Sequence, residues 1–241
     1  MITVDEANEL VKGILSEKRY YHSVCVMERC AEYAEMLGLN VEDAKLIGLM
    51  HDLAKEMSKE EKKEYCEENG IEIDDVERQH LTLLHGKIAA HICKTKYGLS
   101  DELADAIKYH TTGRKNMTIW EKVLYVADTT GKDRNYSNTE YFYNLSKENL
   151  DKALIEILKF VINDRLEEGK MIHMYSVEAY NDLVLKESNK EIHNSLYTAY
   201  SAEKCKEKCQ KIRENILEVL FNQSIDWSSA ERYDLLGRRL F

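Results

Sequence analysis

The most restrictive feature of the sequence is that its 241 residues contain no proline. Average proteins contain about 5% proline, which interrupts helices because it lacks an amide hydrogen and its ring collides with the preceding turn. Glycines supply the helix stops instead, at residues 38, 70, 98 and 169. No segment shows the sustained apolar–polar alternation of a half-buried strand. The sequence therefore predicts an all-α fold without a sheet.

Helix starts are marked by capping boxes, in which a Ser or Thr oxygen accepts a helix amide and a Glu three residues later accepts the amide of the cap. The boxes are Thr3/Glu6, Ser58/Glu61, Thr118/Glu121 and Ser137/Glu140. With the apolar periodicity they predict helices at 3–17, 19–37, 41–55, 58–69, 85–97, 101–111, 118–130, 137–144, 146–168, 176–187 and 191–223. We expect one domain at 1–187 and a helical C-terminal extension at 188–241, for which the sequence indicates no role. The last apolar residues could pack on a second copy in a homodimer or fold back on their own domain.

Charge and hydropathy exclude several classes of protein. The net charge of −10 argues against general nucleic-acid binding, which uses a basic face. No apolar run approaches the roughly 18 residues of a membrane span. The first residues, MITVDEANEL, lack the basic and apolar segments of a secretion signal, so we expect a cytoplasmic protein. Cys205 and Cys209 have metal-compatible spacing, but their Lys- and Glu-rich surroundings favour plain thiols.

Histidines and aspartates recur at helix positions where the pattern calls for apolar residues. They are His22, His51, Asp52, His85, His110 and Asp128. Each alone could be a hydrogen-bonded core residue, but burying all of them without compensation would cost several kcal/mol per charged group. A divalent metal removes this difficulty, and a nitrogen-rich set favours iron, manganese, zinc or cobalt over calcium. Four histidines and two aspartates suit two metals with open positions for water.

The stretch GLMHDLAKEM places His51 directly before Asp52, with Lys55 one turn later. Neighbouring helix residues diverge by about 100°, so an aspartate between two metals, with the histidine on one of them, fits the spacing. Lys55 projects along the same face and could meet an anion held by the metals. A solvated lysine at a helix end explains Lys55 equally well.

Five segments resemble one family of metallohydrolases. They read YYHSVCVMERCAEYAEMLGLN, AKLIGLMHDLAKEMS, LLHGKIAAHICKTKYGL, DAIKYHTTGRKNMT and EKVLYVADTTGKDR, and together they carry the order H…HD…H…H…D. This order is that of HD-domain metallohydrolases, and the wording is similar to the bacterial YqeK branch, the symmetrical diadenosine tetraphosphate hydrolases. The resemblance covers roughly residues 5–186 and implies an HD-domain helical bundle with a di-iron centre that releases two ADP.

The resemblance also implies roles for individual residues. His22, His51, Asp52 and Asp128 match the ligands of one metal, and His85 and His110 match those of the second, with Asp52 bridging. Thr112, Gly113 and Arg134 match positions near the nucleotide phosphates. Asp52 and Lys55 are the expected catalytic residues, and Lys55, Arg114 and Arg134 would make the pocket positive. Water activated by the two metals would attack a phosphoric anhydride.

The loop after Asp128 departs from the family pattern Asp-x-x-Glu-Pro-x-Arg. Here it reads DTTGKDR, with Gly131 and Lys132 at the Glu and Pro positions. This leaves two alternatives open: another nucleotide phosphohydrolase or phosphodiesterase on the same centre, and a nucleotide-binding protein without turnover. His80, His91, His173 and His193 have no match in the motif.

Overall fold

The protein is described here from a computed structural model, which covers residues 1–135, 138–199, 210–211, 232–233 and 239–240. Its contacts divide the chain into two units, Met1–Glu187 and Ser188–Phe241. The helices are α1 Val4–Ile14, α2 Glu17–Leu37, α3 Val41–Met50, α4 Lys59–Glu68, α5 Asp75–Gln79, α6 Leu84–Tyr97, α7 Asp101–Tyr109, α8 Ile119–Thr129, α9 Thr139–Glu148, α10 Leu150–Glu167 and α11 Met174–Ala199, with a 3-10 turn at Leu81–Leu83. The strands are β1 Arg232–Tyr233 and β2 Arg239–Leu240.

The predicted all-α class is confirmed, and local sequence signals account for most helix ends. Thr3 and Ser58 form complete capping boxes with Glu6 and Glu61. Thr118 caps α8, but the side chain of Glu121 does not return to the cap. The fourth predicted box includes Ser137, which lies outside the described residues.

The core of the first unit lies between α2, α3, α7, α8 and α10, which pack on one another. Leu46, Ile47 and Leu49 of α3 and Leu124 of α8 are fully buried in it. Helices α2 and α3 approach most closely at Gly48, where an added Cβ would lie 2.6 Å from the Met27 Cα. Only glycine allows this contact, and it brings the C-terminal part of α3 against the middle of α2.

Four details of the predicted secondary structure are wrong. Helix α5 and the 3-10 turn after it were predicted as loop, although Asp74 and Glu77 form a capping box with aspartate as the cap. Helix α3 ends at Met50 rather than at 55, because the buried Lys62 ammonium binds the carbonyls of Lys55 and Met57 and stabilises a non-helical turn.

The predicted break between residues 187 and 191 is absent, since α11 is continuous there. The prediction of no sheet is also wrong. Arg232 pairs with Leu240 and Tyr233 with Arg239 in a two-stranded antiparallel pair. Strands of two residues are too short to produce an alternating pattern, which needs about four or more residues. The charged stretch 203–209, with Cys205 and Cys209, lies outside the described residues.

Candidate metal centre

Five helices of the first unit bring the six predicted histidines and aspartates together. His22 lies in α2, His51 and Asp52 follow the last residue of α3, and His85 is the second residue of α6. The other two lie at the C-terminal ends of their helices, His110 directly after α7 and Asp128 within the last turn of α8. The centre is therefore built mainly from helix termini, where the chain leaves carbonyl and amide groups available for side chains.

Each of the four imidazoles is oriented by a hydrogen bond at Nδ1. His51 Nδ1 lies 2.8 Å from the Gly48 carbonyl oxygen, and His110 Nδ1 lies 2.7 Å from that of Ile107. His85 Nδ1 lies 2.5 Å from the Thr82 carbonyl oxygen. His22 Nδ1 lies 2.8 Å from Asp133 Oδ2. Since carbonyl and carboxylate oxygens only accept, Nδ1 carries the proton and Nε2 is left with a lone pair, the form in which histidine binds metals.

The Nε2 atoms of His51, His85 and His110 lie around Asp52, on the two sides of its carboxylate. On one side Asp52 Oδ1 lies 3.1 Å from His85 Nε2 and 3.7 Å from His110 Nε2. On the other side Asp52 Oδ2 lies 3.7 Å from His51 Nε2. The two oxygens of one carboxylate thus face two different sets of nitrogen atoms.

Asp128 completes the set on the Oδ2 side. Its Oδ1 lies 3.0 Å from His22 Nε2 and 4.0 Å from His51 Nε2. Within this cluster two groups of ligand atoms are compact enough to hold an ion, namely His22, His51 and Asp128, and His51, Asp52 and His110. A third such group among the described residues, Asp74, Glu77 and His173, shares no residue with the cluster. His51 belongs to both groups of the cluster, and Asp52 Oδ2 lies 3.7 Å from His51 Nε2.

The buried polar atoms of this cluster support the fit to metal ions. His51 Nε2 and Asp52 Oδ1 are inaccessible to solvent and make no hydrogen bond of good geometry with the described residues, although Lys55 Nζ forms an ion pair with Asp52 Oδ1 at 3.2 Å. An unsatisfied buried polar group costs about 1–3 kcal/mol. Imidazole nitrogen and carboxylate oxygen are good ligands for divalent transition metals. A bound cation would satisfy both atoms, so the residues present fit such an ion.

The pKa values of the cluster favour the ligand forms. Burial lowers the pKa of His51 to about 3 and that of His85 to about 4, so both imidazoles are neutral at neutral pH. Burial alone would raise the pKa of Asp52, but the neighbouring His51, His110, His85 and Lys55 outweigh it and hold the pKa well below its ordinary value. The pKa of Asp128 is lowered in the same way, with His22 and Arg134 opposing the effect of burial.

A cleft of about 550 Å³ opens above the cluster. Its cations are Arg19, Lys55, Arg134 and Arg165. Its apolar wall comes from the end of α10 and the segment before α11, with Phe160, Val161, Ile162, Met171 and Ile172. Lys55 Nζ lies 3.0 Å from His85 Nε2 and 3.2 Å from Asp52 Oδ1, directly beside the cluster. The cleft thus combines a cationic floor with an apolar side.

The remaining predicted substrate residues differ in position. Thr112 and Arg134 line the cleft, and the Arg134 guanidinium binds the Asp128 carboxylate and lies 3.2 Å from His22 Nε2. Gly113 has a φ of +64° and packs against Ala179 and Met117. Arg114 does not line the cleft among the residues described; it binds Glu121 and Asp105 and stacks on Tyr109. These contacts indicate a structural role for Arg114.

Comparison with known proteins shows the family of this chain. Residues 19–132 match the HD domain family. The chain is 32% identical over 183 residues to the symmetrical bis(5'-nucleosyl)-tetraphosphatase of Halalkalibacterium halodurans, covering 76% of this chain and 97% of that protein. It is 33% identical over 181 residues to the Bacillus subtilis protein of the same name, covering 75% of this chain and 97% of that protein.

The chain belongs to the symmetrical bis(5'-nucleosyl)-tetraphosphatase family of HD-domain hydrolases. A crystal structure of an HD superfamily hydrolase from Clostridium acetobutylicum, described as involved in NAD metabolism, superposes with a TM-score of 0.74 at 32% identity. The match covers 77% of this chain and 99% of that one. The predicted HD-domain fold and hydrolase class are therefore confirmed. None of the helices in the described part of the chain combines the length and hydropathy needed to cross a bilayer.

Two contributors to this HD-domain site were missed from the sequence. Arg19 lines the cleft and its Nη1 lies 3.5 Å from Asp52 Oδ2. Asp133 binds His22 from the loop after α8. Arg19 lies three residues before His22 on α2, a spacing that places both on one face, so it could have been found. Of the unmatched histidines, His80 and His173 line the cleft, whereas His91 binds the Tyr65 hydroxyl.

Proposed function

We propose that this chain is a metal-dependent hydrolase that cleaves diadenosine tetraphosphate symmetrically into two ADP. The observation that carries the proposal is the division of ligand atoms by the Asp52 carboxylate, one oxygen toward each nitrogen set, at the floor of a cationic cleft. The names of the two curated relatives, which match this chain over almost their whole length, support the choice of substrate.

Two divalent cations would be held on the two sides of Asp52. His22, His51 and Asp128 would hold one and His85 and His110 the other, with Asp52 shared. The imidazole-rich set suits iron, manganese, cobalt and zinc, and we propose iron because the resemblance to HD-domain hydrolases implies a di-iron centre. When bound, such ions supply a hydroxide nucleophile at neutral pH and neutralise charge on the phosphoryl group under attack.

The protein's own cations would hold the polyphosphate above the centre. Lys55, Arg19 and Arg134 all reach the cleft floor within 3.5 Å of a proposed ligand atom. Guanidinium and ammonium groups form charge-assisted hydrogen bonds with phosphate oxygens, the guanidinium as a two-pronged donor. They would therefore offset the repulsion between a polyanion and a chain of net charge −10.

The apolar side of the cleft suits a nucleobase. Phe160 and Ile172 would contact a purine ring, with neighbouring aliphatic side chains completing the wall. Pockets for small ligands are usually apolar with a few fixed polar groups. In diadenosine tetraphosphate the central phosphates would face the cations of the cleft, and an adenine at one end would face its apolar wall.

The proposal assigns these steps to residues 1–187 and leaves residues 188–241 as an extension of unknown role. It includes a cytoplasmic location and no nucleic-acid or membrane partner, and it leaves open whether the C-terminal residues pack on a second copy in a homodimer or fold back on their own domain. All six proposed ligands and every cleft residue precede Glu187.

Product identity tests the proposed reaction. Protein purified without oxygen is assayed for bound metals and then incubated with diadenosine tetraphosphate, NAD⁺, a cyclic dinucleotide, guanosine tetraphosphate and nucleoside triphosphates. We expect two ADP per diadenosine tetraphosphate, with no ATP, AMP or phosphate. NAD⁺ is included because the Clostridium protein is described as involved in NAD metabolism. Preferred turnover of another substrate would replace the proposed one, and failure to turn over any of them in metal-loaded protein would contradict the enzyme proposal.

Lys55→Met is expected to raise the KM for diadenosine tetraphosphate about tenfold or more, because a hydrogen bond to a charged group contributes about 1.5–3 kcal/mol. Metal content should stay unchanged, since an ammonium never ligates a dication. Steady-state kinetics and metal analysis measure the two effects. Lys45→Met is the matched control, because Lys45 pairs with Glu42 on the exposed side of α3. Equal KM values in the two variants would remove Lys55 from the substrate site.

A chain that ends after Lys190 is expected to keep its metal stoichiometry and its activity. Every proposed ligand lies in the first unit. In addition, 97% of each of the two relatives is matched by only 75–76% of this chain, so these relatives have no counterpart of the remaining quarter. Circular dichroism, metal analysis and the product assay would be compared with the full chain. A folded truncated chain that bound no metal would show that the proposed domain boundary is wrong.

A further inference from the structure

We propose that Asp133 is a positioning residue that orients His22 for metal binding, and that Gly131 is required because it leaves the space in which the Asp133 carboxylate lies. The inference rests on the proposed metal centre and extends it to the loop Gly131–Arg134. It gives a role to Gly131, which departs from the family pattern, and to Asp133, which the sequence analysis did not single out.

His22 needs an acceptor that its own helix does not supply. The other three histidines use carbonyls three residues earlier, at the C-terminal ends of α3 and α7 and in the 3-10 turn before α6. Carbonyls at such positions lack a partner within the helix. His22 is the sixth residue of α2, where each carbonyl already accepts an amide of the following turn. A side chain from elsewhere must therefore hold its Nδ1 hydrogen.

Asp133 supplies that acceptor from the loop after α8. Its Oδ2 lies 2.8 Å from His22 Nδ1, and its other oxygen, Oδ1, is buried without a hydrogen-bond partner among the described residues. Burying half a carboxylate unsatisfied is unfavourable for stability. The position of Asp133 is therefore unfavourable for the stability of the loop itself, and we attribute it to the hydrogen bond that Asp133 accepts from His22.

Gly131 makes room for this carboxylate. A Cβ at residue 131 would lie 2.8 Å from Asp133 Oδ1, closer than real Cβ atoms approach another atom. Because Oδ1 is the end of a side chain, an added methyl group would displace the Asp133 carboxylate rather than the backbone. Gly131 is not in the left-handed region of φ, so the backbone conformation itself does not require glycine. The requirement is for space.

The neighbours of Asp133 fix the loop on both sides. Lys132 Nζ lies 2.6 Å from Glu28 on α2, and Arg134 Nε donates to the Asp128 carbonyl oxygen at 2.7 Å. The loop is therefore attached both to α2, the helix that carries His22, and to Asp128, the neighbour of His22 in the candidate metal centre. With Asp133 between these two attachments, its carboxylate is held at a set distance from the imidazole.

The first test reads the tautomer of His22 in the unaltered, metal-free protein by long-range proton–nitrogen NMR. We expect the proton on Nδ1 in the unaltered chain and a mixture of tautomers in Asp133→Ala. Protonation of Nε2 in the unaltered chain would overturn the inference. This measurement is independent of metal, so it still tests Asp133 if the chain bound no metal and the proposed function failed.

The second test measures Co²⁺ affinity by its visible absorption. Removal of such an outer partner of a metal ligand typically weakens metal binding about 10- to 100-fold, and we expect this loss for one of two ions in Asp133→Ala. Asp133→Asn, whose amide oxygen can still accept, should lose less. Unchanged affinity for both ions in a folded Asp133→Ala chain would overturn the proposal.

Gly131→Ala should weaken Co²⁺ binding in the same direction, and the double variant with Asp133→Ala should be no weaker than Asp133→Ala alone. Such non-additivity is expected because Gly131 acts only through Asp133. Gly13→Ala is the matched control, since no atom lies within 4 Å of a Cβ added at residue 13. Additive losses, or an equal loss in the control, would reject the role of Gly131.

Discussion

Asp52→Asn is expected to abolish hydrolysis and to weaken metal binding on both sides of the centre. Its two carboxylate oxygens face different nitrogen sets, 3.1 Å from His85 Nε2 and 3.7 Å from His51 Nε2. Asparagine keeps the shape of the side chain but replaces one oxygen with an NH₂ group, which cannot ligate a metal. In either orientation of the amide, one of the two nitrogen sets loses its shared oxygen ligand. Neither side keeps the negative charge. Loss of a single charge-stabilising donor in an active site already costs about 10²–10³ in turnover, and we expect a larger loss here.

The measurement compares metal stoichiometry and turnover in Asp52→Asn and His110→Ala, both checked for helix content. His110 lies 3.7 Å from Asp52 Oδ1 and is assigned to one ion only, so its variant should keep the other ion. Two tightly bound metals and near-normal turnover in Asp52→Asn would make a shared carboxylate untenable. The same result in His110→Ala would require the second site to be rebuilt from other residues.

Gly48→Ala is expected to destabilise the protein by about 3 kcal/mol, at the upper end of the usual cost of overpacking a core. An added methyl group would meet backbone atoms of Met27 at 2.6 and 2.8 Å, and backbone cannot rotate away as a side chain can. Helices α2 and α3 must therefore separate. Because the Gly48 carbonyl oxygen accepts from His51 Nδ1, the same shift should also weaken metal binding.

Gly13→Ala provides the matched control for urea unfolding of the metal-free proteins. Gly13 lies in α1 with nothing within 4 Å of an added Cβ, and its φ is not left-handed. Alanine there should be neutral or should stabilise the protein by about 0.4–1 kcal/mol. If Gly48→Ala unfolded at the same urea concentration as Gly13→Ala, the close approach of α2 and α3 would not limit stability.

The sequence predicted the helices best where apolar periodicity and caps coincide. Thr3 and Ser58 with their glutamates mark helix starts that the structure reproduces within one residue. The sequence-based prediction failed at the end of α3, where a contact with a residue distant in the chain determines where the helix stops. The apolar pattern continues past Met50, but the Lys62 ammonium captures carbonyls of the following turn, and a residue twelve positions away leaves no periodic signal.

The metal-ligand candidates of the site could be predicted from the sequence, but the hydrogen bonds and ion pairs that connect them with other residues could not. The six histidines and aspartates stand out because they interrupt apolar faces, and the structure places them together. Asp133 gives no such signal, since a charged residue in a loop is unremarkable until the fold brings it to His22. Arg114 is the opposite case, since its charge and position suggested a phosphate contact, whereas Glu121 and Asp105 engage it.

The way in which the imidazoles are held has a consequence for how this protein can diverge. Three of them are anchored by main-chain carbonyls, which every amino acid provides, so residues 82 and 107 can drift during evolution without disturbing the imidazoles they orient. The fourth anchor is a side chain, and it survives only if residue 133 keeps an acceptor and residue 131 stays small. Relatives that change this loop must change both positions together, so covariation between 131 and 133 should be stronger than for any main-chain-anchored pair.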